Sequence, residues 1–442
     1  MLKRCLAAAA LLWCVSAFAL DGKLFFTLAP NVADEFVHIM PFRPPHIPFT
    51  GRCVRRQPVE LVLVLAKPAV GKDGKVLVEI ESLRIVDPNG KVKEFVEPGK
   101  PNIALSGVKK TKRDFSGVML SRLCMTLTAE DGDPLGTTQV TVKLRDRGDD
   151  STLELFAEIE LVEQLPGAPA KPMDGKELAR FFYGYYHRPE PEKIPAAFAA
   201  FLKRDGSGAL KKRSYDPLMW LSGFAELYKL NPQLRPGLIR AAAKYPERHK
   251  IYVALILTGA GAAETELKDA DPELKRLFAD IKNQGRPSLL SFTEITRPAQ
   301  LDALWMRFFV TGKFEPIRRL VYELRKRDGA MPLAEAKKLG RKPTPAEMKK
   351  ILPALIGGAA EWSLASNAQQ HKLVGYYLES MMLRKQYPDL DAAVKIGGML
   401  VKAGLMEVFD KPDGGKGLRA VLKPAAKKPA PRGNVKKNPS GK

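Results

Sequence analysis

The sequence predicts a β-then-α chain, an immunoglobulin-like antiparallel β-sandwich followed by an all-α domain of irregular, repeat-like helical hairpins. Three observations predict it. Between residues 20 and 163 apolar residues alternate with period two, and turn signals separate the runs. From residue 174 to 407 the apolar period lengthens to that of amphipathic helices. Between the two, Gln164-Leu165-Pro166-Gly167-Ala168-Pro169-Ala170-Lys171-Pro172 is rich in proline and small residues, which marks residues 164–173 as a linker.

Ahead of the first strand, residues 1–19 read as a secretory signal peptide. Lys3 and Arg4 open it, Leu6 to Val15 form its apolar run, and Ala17-Phe18-Ala19 offers cleavage before Leu20. A run of about ten residues is half of what a spanning helix needs, and Asp21, Gly22 and Lys23 follow at once. Lipid attachment at Cys14 is the alternative, but Trp13 stands where such signals carry a small residue. The expected location is therefore the periplasm or the exterior. Cleavage removes Cys5 and Cys14 and leaves Cys53 and Cys124, both in strand-like runs. An oxidising compartment makes them the expected disulfide, worth roughly 4 kcal/mol on the chain-entropy account. Two buried free thiols are the other possibility.

Within the β part, Val59 to Leu65, Val76 to Ile80 and Leu83 to Val86 are β-rich. Asp87-Pro88-Asn89-Gly90 is a turn signal, because proline presets one backbone angle and Asn-Gly accepts positive φ. Val118 to Thr128, Thr138 to Leu144 and Leu153 to Leu161 complete the pattern, the last two joined across Arg147-Gly148-Asp149-Asp150 as a closing hairpin. Helices are expected at 174–187, 192–204, 216–230, 233–244, 248–258, 272–283, 298–311, 315–328, 345–357, 359–368, 370–386 and 389–404. Asp216-Pro217 and Thr344-Pro345 each place a capping side chain before a proline at the first helical position. Aligning Trp305 with Trp362, and more loosely Trp220, suggests hairpins each led by a buried tryptophan. The spacing matches no fixed short repeat, so a solenoid and a single helical bundle both remain open. Residues 408–442 read as a basic disordered tail, with seven Lys or Arg and no acid after residue 422.

Net charge is +23, or +21 once Lys3 and Arg4 leave with the signal peptide. Such a surface favours anionic partners. An exported chain meets little nucleic acid, and no nucleic-acid-binding signature is legible. The expected partner is a protein or an anionic envelope component, with peripheral contact to a membrane surface and no transmembrane segment after cleavage.

Catalytic and cofactor motifs are weak. His38, His46, His187, His249 and His371 never fall at metal-ligand spacing, and neither mature cysteine has a CxxC neighbour. Ser106-Gly107-Val108-Lys109 lacks the companion motifs of a serine–lysine enzyme. Gly259-Ala260-Gly261 lacks a third glycine and a βαβ setting, which leaves a helix end as its reading. No catalytic residue, metal or cofactor is assigned. Two binding features stand out. Phe181 to Tyr186 is aromatic at core-like helical spacing. Lys313 to Lys350 holds twelve basic against five acidic residues, with Arg318, Arg319, Arg325, Lys326, Arg327, Lys337, Lys338, Arg341 and Lys342 as the candidate anion-binding set. The functional expectation is a non-enzymatic envelope scaffold. The alternative is an envelope hydrolase assembled from distant carboxylates such as Glu190, Glu192 and Glu226.

Overall fold

The computed structural model describes residues 20–40, 43, 45–66, 68–69, 77–95, 104–106, 118–165, 172–206, 217–284, 294–327, 335, 341–410 and 415–421. The expected leader, linker residues 166–171 and tail residues 422–442 lie outside them.

Strands come first and helices follow. The named period-two runs form β3 (Pro58–Ala66), β4 (Leu77–Val86), β7 (Val118–Thr128), β8 (Gly136–Asp146) and β9 (Thr152–Leu161), and the structure adds β1 (Asp21–Thr27), β2 (Arg52–Cys53), β5 (Val92–Glu94) and β6 (Ala104–Ser106). One sheet has the order β1-β3-β7 and the other β2-β9-β8-β4-β5, with β6 also on β4. The ladders are antiparallel apart from the two-residue parallel pairing of β2 with β9. Alternation dictates the packing, since one side of each strand must leave water. Leu61, Leu63 and Leu65 of β3 meet Val78 and Ile80 of β4 and Val140, Val142 and Leu144 of β8 in one buried cluster. The Asp87 turn forms as its residues require: the Asp87 carboxylate accepts from the Asn89 and Lys91 amides at 2.9 Å each, and Gly90 takes φ +81°.

Cys53 is buried in this cluster as a free thiol, and burial pushes its pKa up to about 11. Cys124 pairs by backbone with Val62, but its side chain lies outside the described residues. The expected bridge is therefore not formed at Cys53 in this structure.

The helical part runs α2 (Gly175–Gly184), α3 (Ile194–Gly206), α4 (Leu218–Leu230), α5 (Arg235–Ala242), α6 (Glu247–Gly259), α7 (Pro272–Asn283), α8 (Pro298–Thr311), α9 (Phe314–Tyr322), α10 (Pro345–Gln370), α11 (Lys372–Leu383) and α12 (Leu390–Lys402), after a short α1 (Val32–His38) among the strands. Thr344 caps α10 in a reciprocal box with Glu347, as its place before proline predicts. Asp216 lies outside the described residues. Gly261, at φ +72°, follows the end of α6, the helix-end reading of that glycine pair.

Three expectations are corrected. The break expected near residue 358 is absent, because α10 continues through Pro353 and Gly357-Gly358 with Ile351, Ile356, Ala360 and Leu364 buried along it. Trp305 is 5% exposed, whereas Trp362 is 74% exposed and leads no buried hairpin. Order also extends past residue 408, where β10 (Met406–Asp410) and β11 (Lys416–Ala420) pair as an antiparallel hairpin.

Two apolar cores hold the helices, and α8 serves both. Met306 and Val310 face the core of α2–α7, while Leu301, Leu304, Trp305 and Phe308 face the core of α9–α12. Gly223 of α4 lets α8 approach, since a Cβ there would stand 2.4 Å from Met306 Cγ.

The connection from β1 to β2 clasps the β part to the second helical core. Ile39 enters that core. Arg43 is buried and forks onto Glu379 of α11, with Nε to Oε2 at 2.8 Å and Nη2 to Oε1 at 2.7 Å. Asp34 accepts the Phe314 amide at 3.0 Å, His38 stacks on Phe314 with centroids 4.0 Å apart, and Arg384 donates to the Val37 carbonyl at 2.7 Å. Gly312, at φ +62°, leaves room for Asn31, whose Nδ2 would stand 2.5 Å from a Cβ.

A buried pair broken on one side leaves an uncompensated charge, so Glu379→Gln and Arg43→Met are each expected to lower stability by about 3–5 kcal/mol. The double variant Arg43→Met with Glu379→Leu should recover most of that loss, as measured by denaturant unfolding. At the Cys53 site, thiol labelling of the native chain at pH 8 should be slow and should complete on unfolding. Absence of labelling in the unfolded, unreduced chain marks the bridge with Cys124 as formed.

Candidate partner-binding surface

Helix α9 is built to split its two arginines. Arg319 turns inward toward Glu315, and burial lowers its pKa. Glu315 also approaches Arg307 at 3.8 Å, and Arg307 Nε donates to Glu226 at 3.0 Å. That network holds Glu226, one of the carboxylates considered for hydrolysis, in a structural ion pair. Glu190 is likewise engaged, by Lys193 at 2.8 Å and Arg188 at 3.2 Å. Glu192 has its pKa raised by burial, with Glu190 adding to the shift.

Arg318 faces solvent instead. Its guanidinium stands 5.8 Å from the centre of the Tyr322 ring, one helical turn on, and Arg325 stands 5.9 Å from the same ring. Tyr322 is 37% exposed, so two cations share one accessible aromatic ring. Arg325 belongs to a 3-10 turn over Glu323–Arg327 that continues α9. Lys313 is exposed at the start of the same helix. The structure thus brings Arg318 and Arg325 together around an aromatic that the charge count alone did not single out. Their spacing at i, i+4 and i+7 was the available signal.

The rest of the basic run divides. Arg341 forks onto Glu347 at 2.7 and 2.8 Å, while Lys342 is exposed. Lys337 and Lys338 lie outside the described residues, as do the side chains of Lys326 and Arg327. Tyr376 lies under Arg43, 5.3 Å from its guanidinium.

Another grouping was hidden by distance along the chain. His46 and His187 have ring centroids 5.2 Å apart, His187 lies 3.9 Å from Tyr186, and the Tyr186 hydroxyl is 3.5 Å from His371 Nδ1. Burial first, then His46 and His371, lowers the His187 pKa to about 4. Glu35 accepts from the His46 amide and from Asn31, both at 2.8 Å, yet burial raises its pKa to about 7. Among the described residues no group of three or more histidines, cysteines or acids is arranged to hold a metal ion. Phe181, Phe182, Tyr185 and Tyr186 are buried, and Tyr183 alone of the aromatic run is exposed. Open depressions occur elsewhere. One of about 320 Å³ is lined by Phe25, Phe49 and Phe156, and one of about 60 Å³ by Tyr185 and Asn231.

No protein-family model matches the chain, and no curated protein does. Among solved structures, it aligns with a family 123 glycoside hydrolase from Clostridium perfringens, described for glycolipid glycan hydrolysis. The TM-score is 0.19 at 8% identity, over 43% of this chain and 36% of that one. At that score the likeness defines neither a shared fold nor a shared chemistry.

Between pH 4.5 and 7 the folded chain holds a proton on Glu35 that the unfolded chain releases, so Glu35's contribution to stability falls as pH rises through that window. His187 acts in the opposite sense, because its contribution falls as pH drops from 6.5 to 4. Glu35→Gln is therefore expected to gain stability over the wild type at pH 8 by about 3 kcal/mol and to lose that advantage by pH 4. Unfolding midpoints of the two proteins across pH 4–8 measure the difference.

Proposed function

We propose that this is an exported, non-enzymatic scaffold of the cell envelope, in which an immunoglobulin-like β-sandwich carries a helical-hairpin domain that binds an anionic partner. The observation that carries the reading is the Arg318–Tyr322–Arg325 arrangement. Two guanidiniums converge on one exposed ring, and no ion pair holds either of them to a carboxylate among the described residues. An acidic protein or an anionic envelope component finds there both charge and a planar stacking surface. The high net charge supports the same reading by attracting such partners over longer range.

What supports the β-sandwich is the apolar cluster shared by two sheets. What supports export is the order of charge, apolar run and small residues in the first nineteen positions. No helix among the described residues is long and apolar enough to cross a membrane.

Retention of the mature chain on vesicles containing an anionic phospholipid, and on an immobilised acidic polysaccharide, tests the reading. Near such a surface each basic side chain is worth about 1 kcal/mol, so Arg318→Gln with Arg325→Gln should weaken retention about 30-fold at low salt. Arg341→Gln, whose charge Glu347 already holds, should change it less. Retention independent of salt and indifferent to all three substitutions sinks the proposal. Mass spectrometry of the mature N-terminus, expected to begin at Leu20, tests export separately.

A further inference from the structure

The outward face of α10 is apolar, and so is its inward face. Inward, Ile351, Ala354, Ile356, Ala360, Leu364 and Ala368 are buried. Outward, Met348, Leu355 and Trp362 are 39%, 36% and 74% exposed, each seven residues from the next. Seven residues are almost two full turns, so the three lie in one line about 21 Å long. Leu352 and Ala359, between them, are partly buried against the core and continue the strip. A helix apolar on both sides has the character of one covered on both sides.

We propose that this strip is the seat of an amphipathic helix from an acidic partner protein. The seven-residue spacing is that of anchors facing a second helix. Met348 and Leu355 are about half as exposed as Trp362, so the strip offers one protruding aromatic anchor beside two lower apolar contacts. The charge around the start of the strip selects the partner's sign. Lys342, Lys349 and Lys350 are exposed there, and the acid of that turn, Glu347, is taken up by Arg341 and by the helix cap. The positive end of the helix dipole adds to them. The chain's own residues 423–442 are entirely basic among their charges, so they are repelled from this end. The seat is chemically distinct from the Arg318–Tyr322–Arg325 surface, and neither depends on the other.

The test uses the full mature chain and a fluorescein-labelled 21-residue helix of three Leu-Glu-Ala-Leu-Glu-Gln-Glu repeats, followed by anisotropy. A counterpart with every Glu replaced by Lys sets the charge control. The acidic helix is expected to bind at least tenfold more tightly than the basic one. Trp362→Ala and Leu355→Glu should each weaken it at least tenfold, and Lys349→Glu with Lys350→Glu, which alters only exposed side chains, should do likewise. Arg318→Gln with Arg325→Gln should leave it unchanged, which separates this seat from the anion surface. Equal binding of both helices, or of neither, overturns the proposal. So does a Trp362-dependent response to anionic vesicles alone, which assigns the strip to a membrane, or a Trp362-dependent dimer in sedimentation, which assigns it to a second copy.

Discussion

The buried ion pair between Arg43 and Glu379 is the constraint on which the relation of the two halves depends. Both side chains are almost wholly removed from water, and each would be expensive to bury alone. The fork of two short hydrogen bonds fixes the guanidinium in both direction and plane, and the same Nη2 also donates to the Leu405 carbonyl at 3.4 Å. Because an apolar pair could serve stability as well, the pair is better understood as a registry device. It accepts one placement of the β1–β2 connection on α11 and penalises the others.

Everything near that connection is consistent with such a registry. Asn31 approaches Gly312 where a side chain would collide, and the Tyr377 hydroxyl donates to the Gly312 carbonyl at 2.8 Å. The turn between α8 and α9 is therefore gripped from two sides. Glu35 carries a cost within this arrangement, since its two hydrogen bonds do not offset burial and its carboxyl is held neutral up to about pH 7. The clasp thus combines one paired charge with one carboxyl that burial favours in its neutral form.

How much of this was legible in the sequence depends on how local its cause is. The Asp87 turn, the cap at Thr344 and the ends of α6, α7 and α8 follow from neighbours a few residues apart, and they occur where periodicity and capping chemistry place them. The short helix α1 was missed because seven residues give too little periodicity to read. Continuity of α10 was missed because Gly357-Gly358 argues locally for a break, while burial along the whole helix outweighs it. Arg43 and Glu379 are 336 positions apart, and neither flanking sequence announces a partner. The basic run was legible as charge, but not the inward turn of Arg319 or the sharing of Tyr322, which are matters of helical phase and packing.

The clasp also reaches the candidate surface. Helix α9 begins at Phe314, and its first amide donates to Asp34, a residue 280 positions earlier on α1. An acid at that point satisfies an otherwise unpaired donor and opposes the positive end of the helix dipole. His38 stacks on the same Phe314 ring, close enough to Arg318 and Arg384 for both to help hold its pKa down after burial. The β part therefore supplies the start of the helix that presents Arg318 and Tyr322. A partner engaging those side chains meets a surface whose orientation is set by both halves at once. In the proposed binding, that coupling gives the strand-rich part a structural role without a contact of its own.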